Sequence, residues 1–159
     1  MMGLSALNGE QMSKFGRDKG QRGERLAISV LQPVVTKVYE ERGLEVPKLE
    51  RNLMQTMKGG HDIVGLDWLA LEIKFQETLH INAWWTQTLK QAGETRVPVL
   101  MYKQSRVKWR VMLVGSLMIG PNGVGGRVRA PVDITLEDFL CYFERRIIWE
   151  LDSKNAEFV

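Results

Sequence analysis

Gly59-Gly60-His61-Asp62-Ile63-Val64-Gly65-Leu66-Asp67-Trp68-Leu69-Ala70-Leu71-Glu72-Ile73-Lys74 is the stretch from which the rest of the chain is read. Two apolar runs, Ile63-Val64 and Leu69 to Phe75, flank a short polar and glycine-bearing centre, the pattern of a β-hairpin. With its turn at Leu66-Asp67-Trp68, cross-strand partners have numbers summing to about 134, which sets Asp62 opposite Glu72. Glu72 and Lys74 are two apart on one strand and share a face, while Ile73 between them points into a core. Two carboxylates and one ammonium therefore gather on one side of an otherwise apolar ribbon.

Carboxylates side by side repel unless something positive lies between them. A hard divalent cation suits them: magnesium takes oxygen ligands and keeps waters and a substrate phosphate in its shell. The backbone carbonyl of Ile73 is a candidate third ligand. Lys74 is placed to orient and activate a water, or to steady charge on a phosphate. The plainer alternative is an ordinary hairpin with a solvated Asp and a Glu-Lys pair, and the residues alone leave both readings open.

Asp62, followed ten positions on by Glu72-x-Lys74, resembles the D-(E/D)-x-K core of the restriction-endonuclease-like nucleases. Upstream, Lys19-Gly20-Gln21-Arg22-Gly23-Glu24-Arg25 resembles the K-G-x-x-x-E-R opening of the archaeal-type Holliday junction resolvases of that superfamily. Trp84-Trp85-Thr86-Gln87 and Pro98-Val99-Leu100-Met101-Tyr102 are similar to phage and bacterial members. The likeness covers roughly residues 19 to 115, with His61 standing where many members have proline. It implies an α/β fold of the restriction-endonuclease-like type, a central mixed sheet flanked by helices. It implies a metal-dependent endodeoxyribonuclease active in DNA recombination or repair, using Mg2+ with Mn2+ as a substitute. Asp62, Glu72 and the Ile73 carbonyl would hold the ion, and Lys74 would assist the water. Glu24, carried towards the metal on a helix, would complete or buffer the site, and Gln87 would touch DNA or order a water.

With 159 residues and ordinary hydrophobic (44%) and charged (26%) fractions, the chain reads as one globular domain. Residues 1–18 are expected to be a mobile basic arm, 19–151 the nuclease domain and 152–159 a loose tail. No apolar run approaches about 18 residues, so no membrane span is expected. Met1 to Glu10 lacks the charged and apolar regions of a signal peptide. A single cysteine, Cys141, excludes an intrachain disulfide and a cysteine-rich zinc framework. A cytoplasmic setting, bacterial or phage-infected, is the expectation. Gly123-x-Gly125-Gly126 lacks the lysine and serine of a P-loop, so no nucleotide cofactor is expected.

Net charge is +3 with a pI near 9.1, and its distribution says more than its size. Lys14, Arg17, Lys19, Arg22 and Arg25 crowd the end of the arm and the start of a helix, opposed by Asp18 and Glu24. They would hold DNA backbone without reading sequence, unless they form a merely solvated tail.

Leu26, Val30, Leu31, Val34, Val35 and Val38 follow helical spacing from Gly20 to Arg42, with a kink or two abutting helices expected at Pro33 and a stop at Gly43. On that helix Glu24 is equally a first-turn acid favoured by the dipole. Leu49 to Met54 hints at a strand, and Gly59-Gly60 would let backbone or DNA approach closely. Asn82 is a candidate N-cap for a helix from Ala83 to Ala92, closed by Gly93. Its adjacent Trp84 and Trp85 cannot face the same way. Val97 to Lys103 and Trp109 to Val114 read as strands joined by a polar, basic turn. Met118 to Arg129 reads as a glycine-rich flap whose Arg127 and Arg129 meet phosphates. Thr135-x-x-Asp138 opens a last helix to Leu151 with a broad apolar stripe.

The size leaves no separate module for reading base sequence, so branched DNA, four-way junctions above all, is the expected partner. A homodimer would nick both strands symmetrically. Alternatives are a nuclease acting on flaps or ends, a non-catalytic DNA-binding module, and an oligomerising scaffold built on the tryptophan helix.

Overall fold

The computed structural model describes residues 9–54 and 60–156. It opens on a 33-residue helix, α1 (Gly9–Glu41). Ala27, Leu31, Val35 and Val38 recur at four- and three-residue spacing and are fully buried, so one stripe of α1 faces the core. That stripe stays in phase across the solvent-facing Pro33, and one continuous helix stands where two abutting helices were the alternative to a kink. Beside the proline, Gln32 accepts from the Leu49 amide (2.8 Å) and donates to the Pro47 carbonyl (3.1 Å). Packing on both flanks outweighs the one backbone bond a proline removes. Residues 9–18, expected to be a mobile arm, are the first turns of α1; residues 1–8 lie outside the described range. Gly43 ends the helix as expected, with φ +63° and the Leu44 amide donating to the Tyr39 carbonyl.

β1 (Glu50–Arg51) and β2 (Ile63–Val64) form a short antiparallel ribbon, Arg51 opposite Ile63. β3 (Leu69–Phe75), β4 (Val97–Lys103), β5 (Arg110–Met118) and β6 (Arg127–Thr135) form one sheet in that order. β3 and β4 run parallel, Glu72 beside Leu100 and Lys74 beside Tyr102, and the other pairs are antiparallel. The crossover between the parallel strands is α2 (Ile81–Ala92), and α3 (Leu136–Ala156) ends the described chain. The architecture is α/β, a mixed central sheet flanked by helices.

Strand alternation sorts the side chains into two layers. Leu69, Leu71 and Ile73 join Val99, Met101, Val111 and Leu113 in the main core beneath α1 and the Phe139, Phe143 and Ile147 stripe of α3. On the opposite face, Trp84 of α2 covers Leu100 and Tyr102. Glu72 and Lys74 share that second face, because register partners point the same way.

Four further expectations change. The expected hairpin has its turn at Asp67-Trp68, with the Leu69 amide donating to the Leu66 carbonyl, but β2 ladders with β1 and not with β3. The glycine-rich flap is instead the far end of a long β5–β6 hairpin, closed by a 3-10 turn at Pro121–Gly123. Pro131 hides β6 in the sequence, yet a proline is tolerated on the sheet's edge strand, opposite Val114. Asn82 is not the cap of α2: the helix starts at Ile81 after His80, and no side chain caps it. The tail expected from Asp152 continues α3 to Ala156. The capping contact at Thr135 does form, its hydroxyl accepting from the Asp138 amide at 3.1 Å. None of the described helices is long and apolar enough to cross a membrane.

Candidate active site

β3 brings Glu72, Ile73 and Lys74 to the edge of the sheet, where β4 flanks one side and the segment around Asp62 the other. The Asp62 amide donates to the Leu71 carbonyl (2.9 Å), and its carboxylate Oδ2 accepts from the Ile73 amide (2.6 Å). These two bonds bracket residue 72, so Asp62 lies against Glu72 without a β2–β3 ladder. Main-chain N–H and C=O groups of a strand residue leave on the same side. The Ile73 carbonyl is therefore directed to the edge that Asp62 occupies.

Glu72 is 1% exposed, Asp62 6%. An ionised carboxylate that deep needs compensation. One oxygen of Glu72 receives it from Lys74 Nζ at 2.6 Å, while Oε2 is buried with no hydrogen-bond partner. Lys74 also donates to Gln87 Oε1 on α2 (3.2 Å). The tertiary structure thus brings Asp62, Glu72, Ile73, Lys74 and Gln87 together.

Orphaned, buried carboxylate oxygens are rare and ask for a reason. Here Glu72 Oε2, Asp62 and the Ile73 carbonyl match the one or two carboxylates and mixed oxygen donors that magnesium takes, water supplying the rest. The donor set fits a hard cation. Among the described residues no three of His, Cys, Asp and Glu cluster, so Glu24 is not a third carboxylate beside Asp62 and Glu72.

Glu24 is ion-paired with Arg51 of β1. The neighbouring Asn52 amide donates to the Asp62 carbonyl (2.8 Å), and its side-chain amide donates to the His61 carbonyl (2.9 Å). Glu24 therefore reaches the site through β1, fastening the segment that carries Asp62. Arg51 and Asn52 went unrecognised in the sequence. The signal in the sequence was that Glu24 has no cation three or four residues away, where a helical partner would sit. His61 is buried with Nδ1 unpartnered, and burial, then Arg96, lowers its pKa, which keeps the imidazole neutral.

The five cations expected to form one patch are divided by α1, which turns about 100° per residue. Lys19 and Arg22 face the end of β3, lining a cavity of about 380 Å³ with Phe15 and Phe75. Arg17 faces Glu24 and Arg51 across another of about 360 Å³. Lys14 and Arg25 are exposed. Arg127 and Arg129 sit opposite Met118 and Ser116, past the last β4 partner of β5 at Leu113. Lys74 aligns with Tyr102 and Arg110, six residues from Ser116, which is about 20 Å along a strand. The two arginines are exposed at the other end of the sheet and are not brought to the site.

Trp84 is buried and Trp85 half-exposed, as two adjacent helical positions require. No protein-family model matches the chain, and no curated protein or solved structure matches it.

Proposed function

We propose that the chain is a magnesium-dependent, structure-specific DNA endonuclease with restriction-endonuclease-like topology, a Holliday junction resolvase working as a homodimer. The observation that carries the reading is the buried pair: Asp62 bonded across to Ile73, beside Glu72 with one oxygen unpartnered and Lys74 on the other. A helix before the site and a parallel β3–β4 crossover through α2 agree with the resemblance drawn from D-x9-E-x-K.

Asp62, Glu72 and the Ile73 carbonyl would hold the ion. Bound there, it supplies Lewis acidity that polarises phosphoryl oxygens and acidifies water. Hydrolysis adds a water oxygen to phosphorus, breaks one P–O ester bond and delivers a proton to the leaving oxygen. Lys74, fixed between Glu72 and Gln87, orients the attacking water and offsets charge on the phosphate. Gln87 sets the lysine's position, and Arg51, held by Glu24, steadies the Asp62 segment. Lys19, Arg22 and the other α1 cations hold backbone phosphates without reading bases. Two chains on a two-fold axis would nick symmetric strands of a junction.

A second reading, a DNA-binding module in which the acids are structural, draws on the ammonium that already sits 2.6 Å from Glu72. One experiment separates them. Purified protein and its Asp62→Asn variant are assayed on junction, flap, duplex and single strand, in magnesium and in chelator. Magnesium-dependent nicking of the junction, lost in Asp62→Asn with junction binding retained, is the expected result. Equal turnover by the variant refutes the site, and no cutting by either leaves the binding module.

A further inference from the structure

From Arg96 to Val132 the chain runs 37 residues without an Asp or Glu, while carrying seven Lys and Arg. In a protein whose acids nearly match its bases (19 against 22), that span folds as one acid-free unit, β4, β5 and the start of β6. Lys103, the last residue of β4, and Arg106 and Lys108 of the β4–β5 turn concentrate at the carboxyl ends of β3 and β4. Among the described residues no carboxylate pairs with any of the three.

Two further features set the turn apart from a solvated loop. Arg106 is held at φ +61°, a left-handed conformation in which glycine would be unstrained and a side chain is disfavoured. Beneath it, Lys103 lies 5.3 Å from the Phe75 ring centroid and 5.6 Å from that of Trp109, while Lys19 lies 4.7 Å from Phe75. Both rings are buried, so they form a floor that spaces cations and are not anchors for a protein partner. Cavities of about 380 Å³ and 320 Å³ open on either side of Phe75 and Trp109. Phe75 directly follows Lys74, so the surface begins one residue beyond the candidate site.

We infer that the β4–β5 turn, flanked by Arg22 of α1, is a DNA-backbone interface that holds the duplex running away from the cut. The inference rests on the nuclease reading. Lys19 is paired with Glu77, which also holds Ser105 of the turn, so the cations left unpaired over the buried aromatic floor are Lys103, Arg106 and Lys108, whose spacing matches a line of phosphates.

The test is fluorescence anisotropy of a labelled four-way junction in chelator, at 50 to 200 mM salt. Arg106→Gly/Lys108→Ala is compared with wild type and with Arg145→Ala/Lys154→Ala on α3. Glycine suits the backbone at 106, so the variant is expected to melt at or above the wild-type temperature. Losing two phosphate contacts should flatten the slope of log affinity against log salt by about two units. The α3 variant should keep the wild-type slope. An unchanged slope in the turn variant overturns the inference and leaves the nuclease reading standing. A wild type that binds no DNA overturns both. Displacement of the junction by polyglutamate as readily as by unlabelled DNA also overturns it, making the turn a site for acidic protein.

Discussion

Removing Lys74 and removing Glu72 should not cost the same. In Lys74→Met the carboxylate of Glu72, 1% exposed, loses its partner at 2.6 Å while its second oxygen already has none. A buried charge stripped of its partner costs about 3–5 kcal/mol, and with the Lys74 side chain 17% exposed the lower end applies, about 3 kcal/mol. In Glu72→Gln the stranded group is an ammonium that reaches water and keeps Gln87 at 3.2 Å, so the loss is nearer about 1 kcal/mol, that of one hydrogen bond. The difference of about 2 kcal/mol corresponds to about 4–8 °C in melting temperature for a domain of this length. Urea denaturation in chelator measures both variants. Magnesium at ten times its dissociation constant should add about 1.4 kcal/mol to Lys74→Met and not to Glu72→Gln. Equal costs for the two variants, or a deficit in Lys74→Met indifferent to magnesium, would refute the reasoning.

Replacing Arg22 and Arg25 together should flatten the salt dependence of DNA binding by about one to two units of slope; an unmoved slope means those cations do not touch DNA. Two glycines of α1 should respond with opposite sign. A Cβ on Gly20 meets nothing within 4 Å, so Gly20→Ala should gain about 1 kcal/mol from helix propensity. A Cβ on Gly23 would sit 2.8 Å from the Phe75 Cβ, so Gly23→Ala should lose about 1 kcal/mol or more in chemical denaturation. Glu77, held by Lys19 and then by Ser105, has its pKa lowered from 4.5 to about 2. A depressed folded pKa means that its contribution to stability is present above 4.5 and lost as pH falls through about 2. Carboxyl NMR should show Glu77 titrating near 2 and returning towards 4.5 in Lys19→Ala; titration alongside other exposed glutamates in wild type would count against the pair.

Legibility of the candidate site divided along similar lines. The spacing of Asp62, Glu72 and Lys74 placed the acids against one another correctly even though the register argument assumed a ladder that β1 takes instead. A two-residue strand is too short to choose its partner by pattern, and Arg51 opposite Ile63 follows from α1 anchoring β1 through Glu24. Glu24 itself misled because a helical acid shows its period in sequence but not which neighbouring segment supplies its cation.

What the sequence by itself determined was local: β4 to the residue, the helix ends at Gly43 and Gly93, the turn before Leu69 and the Thr135 cap. Each depends on a few neighbouring residues, through alternation, positive φ or a side chain bonding the next turn. Tertiary structure alone decided the continuous run of α1 through Pro33, the burial of Trp84 over Trp85, the edge strand containing Pro131, and the burial of Glu72 with one oxygen unpartnered. In those cases several local outcomes were close in energy, and contacts between residues far apart in the chain selected one.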